Sequence, residues 1–120
     1  MQDYSRLKAW HLARAVAVQL AEALWPRLSY RVPGLRTQMI RAAVSISSNL
    51  AEGCGKRSQP EFRRYVEISL GSLLEVESDL GIALRTRLLT TQAHRDLARK
   101  CAVLRRMLKS LIQSIDSRSI

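Results

Sequence analysis

The sequence contains few of the side chains that catalysis and metal binding usually require. Among its 120 residues are two cysteines and two histidines. Neither His11 nor His94 follows a glutamate by three residues, so the Glu-x-x-His pairs of di-metal helical bundles are missing. Cys54 and Cys101 form no Cys-x-x-Cys pair, and we expect both to be reduced thiols. The sequence thus predicts a protein without a metal, a cofactor or catalytic residues.

One cysteine has surroundings that favour reactivity. Lys56 and Arg57 follow Cys54 closely, and nearby cations lower the pKa of a thiol. No histidine lies nearby in sequence to serve as its base, and Gly53 and Gly55 do not have the spacing of a phosphate-binding P-loop. A turn that ends a helix is the simpler interpretation of this segment.

Long apolar runs are also absent. No uninterrupted apolar stretch reaches the roughly 18 residues of a membrane span. Residues 1–6 do not lead into a signal-peptide core, so we expect a cytoplasmic protein without membrane contact. Apolar residues make up 47% of the chain and are mainly leucine and alanine, which favour helices over strands. This length fits one domain, which we place at residues 1–120.

Helical periodicity and turn residues predict four helices, at about residues 4–25, 35–52, 59–89 and 91–113. Pro26 ends the first, and Gly53 begins a glycine-containing stop after the second. Ser58 and Glu61 have the spacing of a capping box before the third. Thr90 or Thr91 caps the fourth, and we interpret the residues after about 113 as a frayed tail.

The apolar positions of the predicted helices form narrow stripes. In the fourth helix they recur at steps of four and three, at Leu97, Cys101, Leu104, Leu108, Leu111 and Ile115. This heptad spacing is typical of a bundle interface, and short connections place consecutive helices antiparallel. The predicted fold is therefore all-α, an up-down-up-down four-helix bundle. The later part of the first helix, from Leu12 to Trp25, is apolar nearly all round, which indicates a neighbouring subunit.

Two polar features break this pattern. One face of the second helix carries small polar and charged residues, at Arg41, Ser45, Ser48, Asn49 and Glu52. A solvated face and a polar contact between helices or subunits both explain it. Glu77 lies inside the apolar stripe of the third helix and needs a partner, for which Arg41 or Asn49 is suitable. Glu75 and Asp79 make this part of a basic chain acidic.

Charge is the strongest compositional signal. Twenty Lys and Arg residues oppose ten Asp and Glu residues, and sixteen of the cations are arginines, whose planar fork suits phosphate. The candidate nucleic-acid contacts are Lys56, Arg57, Arg63, Arg64, Arg95, Arg99 and Arg106, with a further cluster at Arg27, Arg31, Arg36 and Arg41. Trp10 and Trp25 are interpreted as packing residues, so base stacking is not expected. Binding by charge alone is sensitive to salt and indifferent to sequence.

Two longer motifs are more specific. The first is RAAVSISSNLAEG, from Arg41 to Gly53, and the second is EFxxYVxISLGSLxE, from Glu61 to Glu75. Both resemble the four-helix-bundle proteins encoded in intervening sequences of bacterial 23S rRNA genes, a family related to the accessory protein of diversity-generating retroelements. The resemblance covers about residues 4–112. One departure is the turn after Leu89, which lacks the glycine usual in the family.

The resemblance implies a homopentameric ring of four-helix bundles without catalytic residues. In the related branch, a basic pentamer binds a reverse transcriptase and nucleic acid. The candidate structural or interface residues are Arg41, Ser45, Asn49, Glu52, Gly71, Ser72, Glu75 and Glu77. We therefore expect a non-catalytic protein that binds RNA or a ribonucleoprotein complex through its arginine-rich surfaces. The alternative is a structural oligomeric adaptor that scaffolds a protein partner without nucleic acid.

Overall fold

The computed structural model describes residues 1–25 and 32–118. A 3₁₀ turn at Tyr4–Arg6 precedes four helices: α1 (Lys8–Leu24), α2 (Leu35–Cys54), α3 (Gln59–Arg85) and α4 (Thr91–Arg118). No strand occurs within these ranges, so the expected all-helical fold is confirmed. The expectations for the first connection, including the arginines at 27 and 31, lie outside the described residues.

Polar contacts between helices show that neighbouring helices are antiparallel. Gln38, near the start of α2, donates to a carboxylate oxygen near the end of α3, at Asp79 (2.9 Å). Gln19, near the end of α1, donates to Asp96 near the start of α4 (2.6 Å). Each helix packs against two others, so that α1 and α3 contact both α2 and α4. The result is an up-down-up-down bundle of 49 × 21 × 20 Å.

The predicted apolar seam of α4 forms much of the core. Its fully buried members are Leu97, Cys101, Leu104, Leu108 and Ile115, whereas Leu111 is partly exposed. Opposite them lie stripes from the other helices, which include Leu20, Met39, Ile46, Leu50, Leu73 and Leu80. Burying one such leucine or isoleucine side chain contributes about 1.5–3 kcal/mol, so the seam stabilises the packing of α4 against its neighbours.

Helix boundaries differ from the predicted ones where tertiary contacts override local signals. Asp3 caps a separate 3₁₀ turn by accepting from Ser5, and α1 begins only at Lys8. The expected carboxyl-terminal stop of α2 is wrong in its mechanism. Gly53 remains helical, and Gly55 has φ −81°, which is not the left-handed conformation. Ser58 caps α3 as expected, accepting from the backbone N–H of Glu61 at 3.3 Å.

The last turns of α4 are ordered, which corrects the expected frayed tail. Ile115 is only 2% exposed because it continues the apolar seam. Arg63 of α3 binds both carboxylate oxygens of Asp116, at 2.6 and 3.1 Å. The hydrogen bond from Arg63 lowers the pKa of Asp116. The helix therefore continues to Arg118 because α3 holds it by a side chain far away in sequence.

The carboxyl terminus of α3 is a Schellman motif with an arginine in the left-handed position. The N–H of Leu88 donates to the carbonyl of Ala83 (2.8 Å), and the N–H of Arg87 donates to that of Leu84 (3.1 Å). Arg87 has φ 62°, and it is the only non-glycine residue with positive φ in the described ranges. Glycine is the usual residue at this position, since a Cβ is strained there.

We expect Arg87→Gly to raise the free energy of unfolding by about 0.5–1 kcal/mol, because strain relief exceeds the added flexibility of the unfolded chain. Arg85→Gly, in the last helical turn, is the matched control and should lower it by up to about 1 kcal/mol. Urea denaturation followed by circular dichroism measures both. Destabilisation by Arg87→Gly would mean that the Arg87 side chain makes a contact worth more than the strain.

Candidate functional site

The exposed side of α4 carries a row of cations that we call the α4 basic face, formed by Arg95, Arg99, Arg106 and Lys109. They share one side of the helix because their spacings of four, seven and three follow the helical repeat. All four residues are exposed to solvent. At 1.5 Å per residue the row extends over about 21 Å.

The cations of α4 differ in how their charge is compensated. Arg99 bonds to Asp96 at 3.1 Å but stays 70% exposed, whereas Lys100 is drawn into the same network by Gln19 and Asp96. The hydrogen bond from Gln19 is the main reason that the pKa of Asp96 is lowered. Arg95, Arg106 and Lys109 form no ion pair with any described residue. Their charge is therefore available to a ligand.

Glu77 has a different partner from the expected ones. It accepts a hydrogen bond from Nε of Arg105 on α4, at 3.0 Å, and neither Arg41 nor Asn49 contacts it. The earlier expectation was wrong because Glu77 lies on the side of α3 that faces α4, whereas Arg41 and Asn49 lie on α2. This ion pair satisfies the half-buried carboxylate and removes Arg105 from the basic surface.

The second group of nucleic-acid candidates surrounds the turn between α2 and α3. Arg57 and Arg64 are exposed, and the Lys56 ammonium lies 5.3 Å from the ring centroid of Tyr65. Arg63 points away from this surface, since it binds Asp116 and also Glu67 at 2.7 Å. The structure thus leaves Arg57 and Arg64 exposed, places the partly buried Lys56 against Tyr65, and gives Arg63 two carboxylate partners.

Of the predicted polar stripe of α2, Arg41, Ser48 and Glu52 are exposed. Ser45 and Asn49 instead belong to a ladder of hydrogen bonds at the contact of α2 and α3, which we call the polar seam. Its members are Gln38, Ser45, Asn49, Ser69, Ser72 and Asp79. The hydroxyls of Ser45 and Ser72 are 2.9 Å apart, and Asn49 donates to the Ser45 carbonyl at 2.9 Å. Ser69 donates to the carbonyl of Ile46 at 2.9 Å. The bonds of Gln38, Ser45 and Ser69 run between α2 and α3 and fix the register of the two helices, whereas the bond of Asn49 lies within α2.

On the solvent side of the polar seam, α2 and α3 form a shallow groove with a volume of ≈ 670 Å³. Arg41 and Glu75, two of the candidate interface residues, line it together with Ser45 and Ser72. Both charged side chains are exposed, and neither forms an ion pair with a described residue. Gly71 of α3 is also exposed.

Near the carboxyl end of α2, Gly53 allows this helix to approach α3 closely. A Cβ at Gly53 would lie 2.7 Å from Cβ of Tyr65 and 3.2 Å from Cδ1 of Phe62. Tyr65 also donates its hydroxyl to Glu52 at 3.3 Å. Two motif residues therefore contact Tyr65 of α3: Glu52 accepts its hydrogen bond, and Gly53 leaves space for its side chain.

Both cysteines are free and buried. Burial raises the pKa of the Cys54 thiol and raises that of Cys101 to about 12. The lowered pKa considered for Cys54 on account of Lys56 and Arg57 is therefore wrong, since burial, and after it the charge of Asp3, raises the pKa of this thiol. Residues 1–25 and 32–118 contain no convergence of three His, Cys, Asp or Glu side chains. Within the same ranges, no helix is long and apolar enough to cross a bilayer.

One feature missed in the sequence is the exposure of Trp25. Its side chain, expected to be a packing residue, is 76% exposed at the end of α1. Several aliphatic side chains of the surface are also half-exposed, namely Val18, Val44, Ile68, Leu74 and Ile82. Period-based reasoning assigned Trp25 to the core because α1 is apolar nearly all round. The position of Trp25 at the end of the helix, just before Pro26, was the available signal to the contrary.

Comparison with solved structures shows the same fold elsewhere. A protein of unknown function from the S23 ribosomal protein family of Bacteroides thetaiotaomicron superposes with a TM-score of 0.79. The two chains are 20% identical, and the match covers 87% of this chain and 97% of the other. At that identity the likeness shows the fold alone. Among curated proteins, none matches this chain.

A family model gives the assignment that the two motifs suggested. The model described as "23S rRNA-intervening sequence protein" matches residues 5–110, which include α1, α2, α3 and most of α4. Both the polar seam and the α4 basic face lie inside the matched range. The chain therefore belongs to the family of 23S rRNA-intervening sequence proteins.

Proposed function

We propose that this protein is a non-catalytic binding protein that associates with RNA, or with a ribonucleoprotein complex, through the α4 basic face. The observation that carries the proposal is the row of Arg95, Arg99, Arg106 and Lys109 on one exposed side of α4. Regularly spaced cations on a straight helix follow a phosphate backbone without reading bases. The exposed Arg57 and Arg64, with the partly buried Lys56, provide a second group of cations around the start of α3.

The distribution of charge supports the same conclusion. Helix α4 contains seven Lys and Arg residues and only two carboxylates, Asp96 and Asp116. Both carboxylates bond to cations outside Arg95, Arg106 and Lys109. Helix α3 is instead acidic, with five carboxylates and three arginines. Helix α4 thus has an excess of positive charge, which favours a polyanion over a ligand of mixed charge.

A salt titration tests this function. Nuclease-treated protein is mixed with a labelled RNA duplex, and binding is followed by fluorescence anisotropy. If the protein contacts four phosphates, its affinity for the duplex should fall by about 100-fold when the salt concentration rises from about 50 to 200 mM. A change of duplex sequence should leave the affinity within about threefold. Absence of binding at 50 mM salt, or binding that salt leaves unchanged, would refute the proposal.

The α2–α3 face favours a second candidate, a structural adaptor assembled as a homopentameric ring. Ile68 and Ile82 are 40% and 43% exposed, and they share one side of α3 with Gly71 and Glu75. Small residues next to exposed aliphatic ones are suited to a close contact between proteins. The acidic surface of α3 and the basic α4 of another copy are complementary, as a head-to-tail ring requires.

Light scattering coupled to size-exclusion chromatography distinguishes the two candidates. A mass near five times 13.6 kDa, with nucleic acid that nuclease removes, is expected for an RNA-binding ring. A protein partner that remains bound after nuclease treatment would favour the adaptor. A monomer would refute the ring in either role. The proposed relationship to the accessory protein of diversity-generating retroelements predicts the pentamer with bound nucleic acid.

The proposal also assigns the protein to the cytoplasm. Its ligand would be found there, and the free thiols of Cys54 and Cys101 are compatible with a reducing compartment. Fractionation of cells that produce the protein, followed by detection with an antibody, tests this assignment directly.

A further inference from the structure

We propose that the end of the bundle at Trp25 binds unpaired nucleotides, with a base stacked on the exposed indole ring. This inference rests on the proposed function and adds a preference for RNA in which single-stranded residues adjoin a duplex. The binding end consists of the end of α1, the start of α2, the end of α3 and the start of α4, which the antiparallel arrangement brings together.

The exposure of Trp25 is the first observation. A tryptophan that is 76% exposed leaves most of a large apolar ring in water, whereas this residue type is usually well covered. Its backbone is held in place, because Arg36 at the start of α2 donates to the Trp25 carbonyl at 3.0 Å. The ring therefore projects from a fixed point that two helices define.

The charge around this end is the second observation. Arg36, Arg85, Arg87 and Arg95 all lie in the terminal turns of the helices or in the turn between α3 and α4. Among the described residues of these turns, Glu22 is the single carboxylate, and Asp96 just beyond is bonded to Gln19, Arg99 and Lys100. Arg87 has a left-handed backbone conformation that glycine would adopt without strain. The arginine nevertheless places a positive charge at this end of the bundle.

An exposed aromatic ring and several arginines at the same end of the bundle match the chemistry of a nucleotide. Each unpaired nucleotide presents a planar base for stacking and a phosphate for a guanidinium group. A purely apolar protein partner would leave Arg85, Arg87 and Arg95 desolvated without counter-charge, which is unfavourable. Arg95 belongs both to this end and to the α4 basic face. One RNA molecule can therefore place its duplex along α4 and its unpaired residues at Trp25.

Two RNA probes test the inference: a blunt duplex and the same duplex with an overhang of about four unpaired nucleotides. We expect the protein to bind the overhang probe about 5- to 150-fold more tightly, the equivalent of about 1–3 kcal/mol per stacked base. Trp25→Ala should abolish this difference and leave the affinity for the blunt duplex within about twofold. Trp25→Phe should retain part of the difference, whereas Trp25→Leu, which is apolar without an aromatic face, should not.

Fluorescence supplies a readout that does not depend on affinity. The chain has two tryptophans, and Trp10 is packed against Tyr4 with ring centroids 4.8 Å apart. The emission lost in Trp25→Phe therefore reports the exposed ring. Quenching of this emission by the overhang probe, but not by the blunt duplex, is the expected result. Circular dichroism confirms that each variant is folded.

The outcomes separate the two proposals. If neither probe binds, both the proposed function and this inference fail. If both bind equally, with a strong salt dependence and no effect of Trp25→Ala, the inference fails and the function stands. If Trp25→Leu instead changes the oligomer mass without RNA, Trp25 contacts another copy of the chain, and the inference is overturned.

Discussion

Gly53→Ala is expected to lower the free energy of unfolding by about 2–3 kcal/mol, although alanine is the better helix former. The added Cβ would lie 2.7 Å from Cβ of Tyr65, well inside van der Waals contact. Neither atom can rotate away, since each is attached directly to a helix backbone. Helices α2 and α3 must therefore separate locally, which weakens the packing of Phe62 and the bond between Tyr65 and Glu52.

Gly71→Ala is the matched control for this prediction. Gly71 also lies inside a helix, but a Cβ there would meet no atom within 4 Å. The substitution should raise the free energy of unfolding by about 0.5–1 kcal/mol, because alanine loses less entropy than glycine on folding. Urea denaturation at one protein concentration measures both variants. Equal effects of the two substitutions would show that the contact at Tyr65 does not limit the approach of α2 and α3.

Neutralising the α4 basic face should have the largest effect on RNA binding. We expect the quadruple variant with glutamine at Arg95, Arg99, Arg106 and Lys109 to bind RNA duplex about 10³-fold more weakly at 0.1 M salt. The slope of log affinity against log salt concentration should decrease in magnitude by about three to four, because four fewer counterions are released. Fold should be retained, as the four side chains are exposed and only Arg99 forms an ion pair among the described residues.

A control with the same change in net charge distinguishes a local site from a general attraction. Arg6, Lys8, Arg14 and Arg118 are exposed and lie outside the α4 basic face, and glutamine at all four removes as much charge. This variant should bind RNA within about tenfold of the unmodified protein and keep most of the salt dependence. If both variants lose affinity equally, the protein attracts RNA through its overall charge, and α4 is not a site.

Much of the bundle could be predicted from the sequence because the signals are local. The seam from Leu97 to Ile115 follows from the helical repeat, and buried residues occupy it as expected. Ser58 and Thr90 cap their helices through backbone groups only three residues away. The polar stripe on α2 was visible for the same reason, since residues on one side of a helix recur at spacings of three and four.

Family membership also came from contiguous residues. The motifs from Arg41 to Gly53 and from Glu61 to Glu75 lie on consecutive helices, and the match to residues 5–110 includes both. What the motifs did not indicate is the reason for their composition. Ser45 bonds to Ser72 across the two helices, and Gly53 makes room for Tyr65, contacts that require the two helices to be in register.

The helices, their antiparallel order, the apolar seam and the family could therefore be predicted from spacing along the chain. The pairing of charges could not, because it depends on how each helix is rotated toward its neighbours. In the folded protein Glu77 binds Arg105 and Asp116 binds Arg63, whereas Arg95 and Arg106 are exposed and unpaired among the described residues. The exposure of Trp25 likewise depends on the folded structure. The rotation of each helix is set by packing of the whole core, which no local pattern encodes.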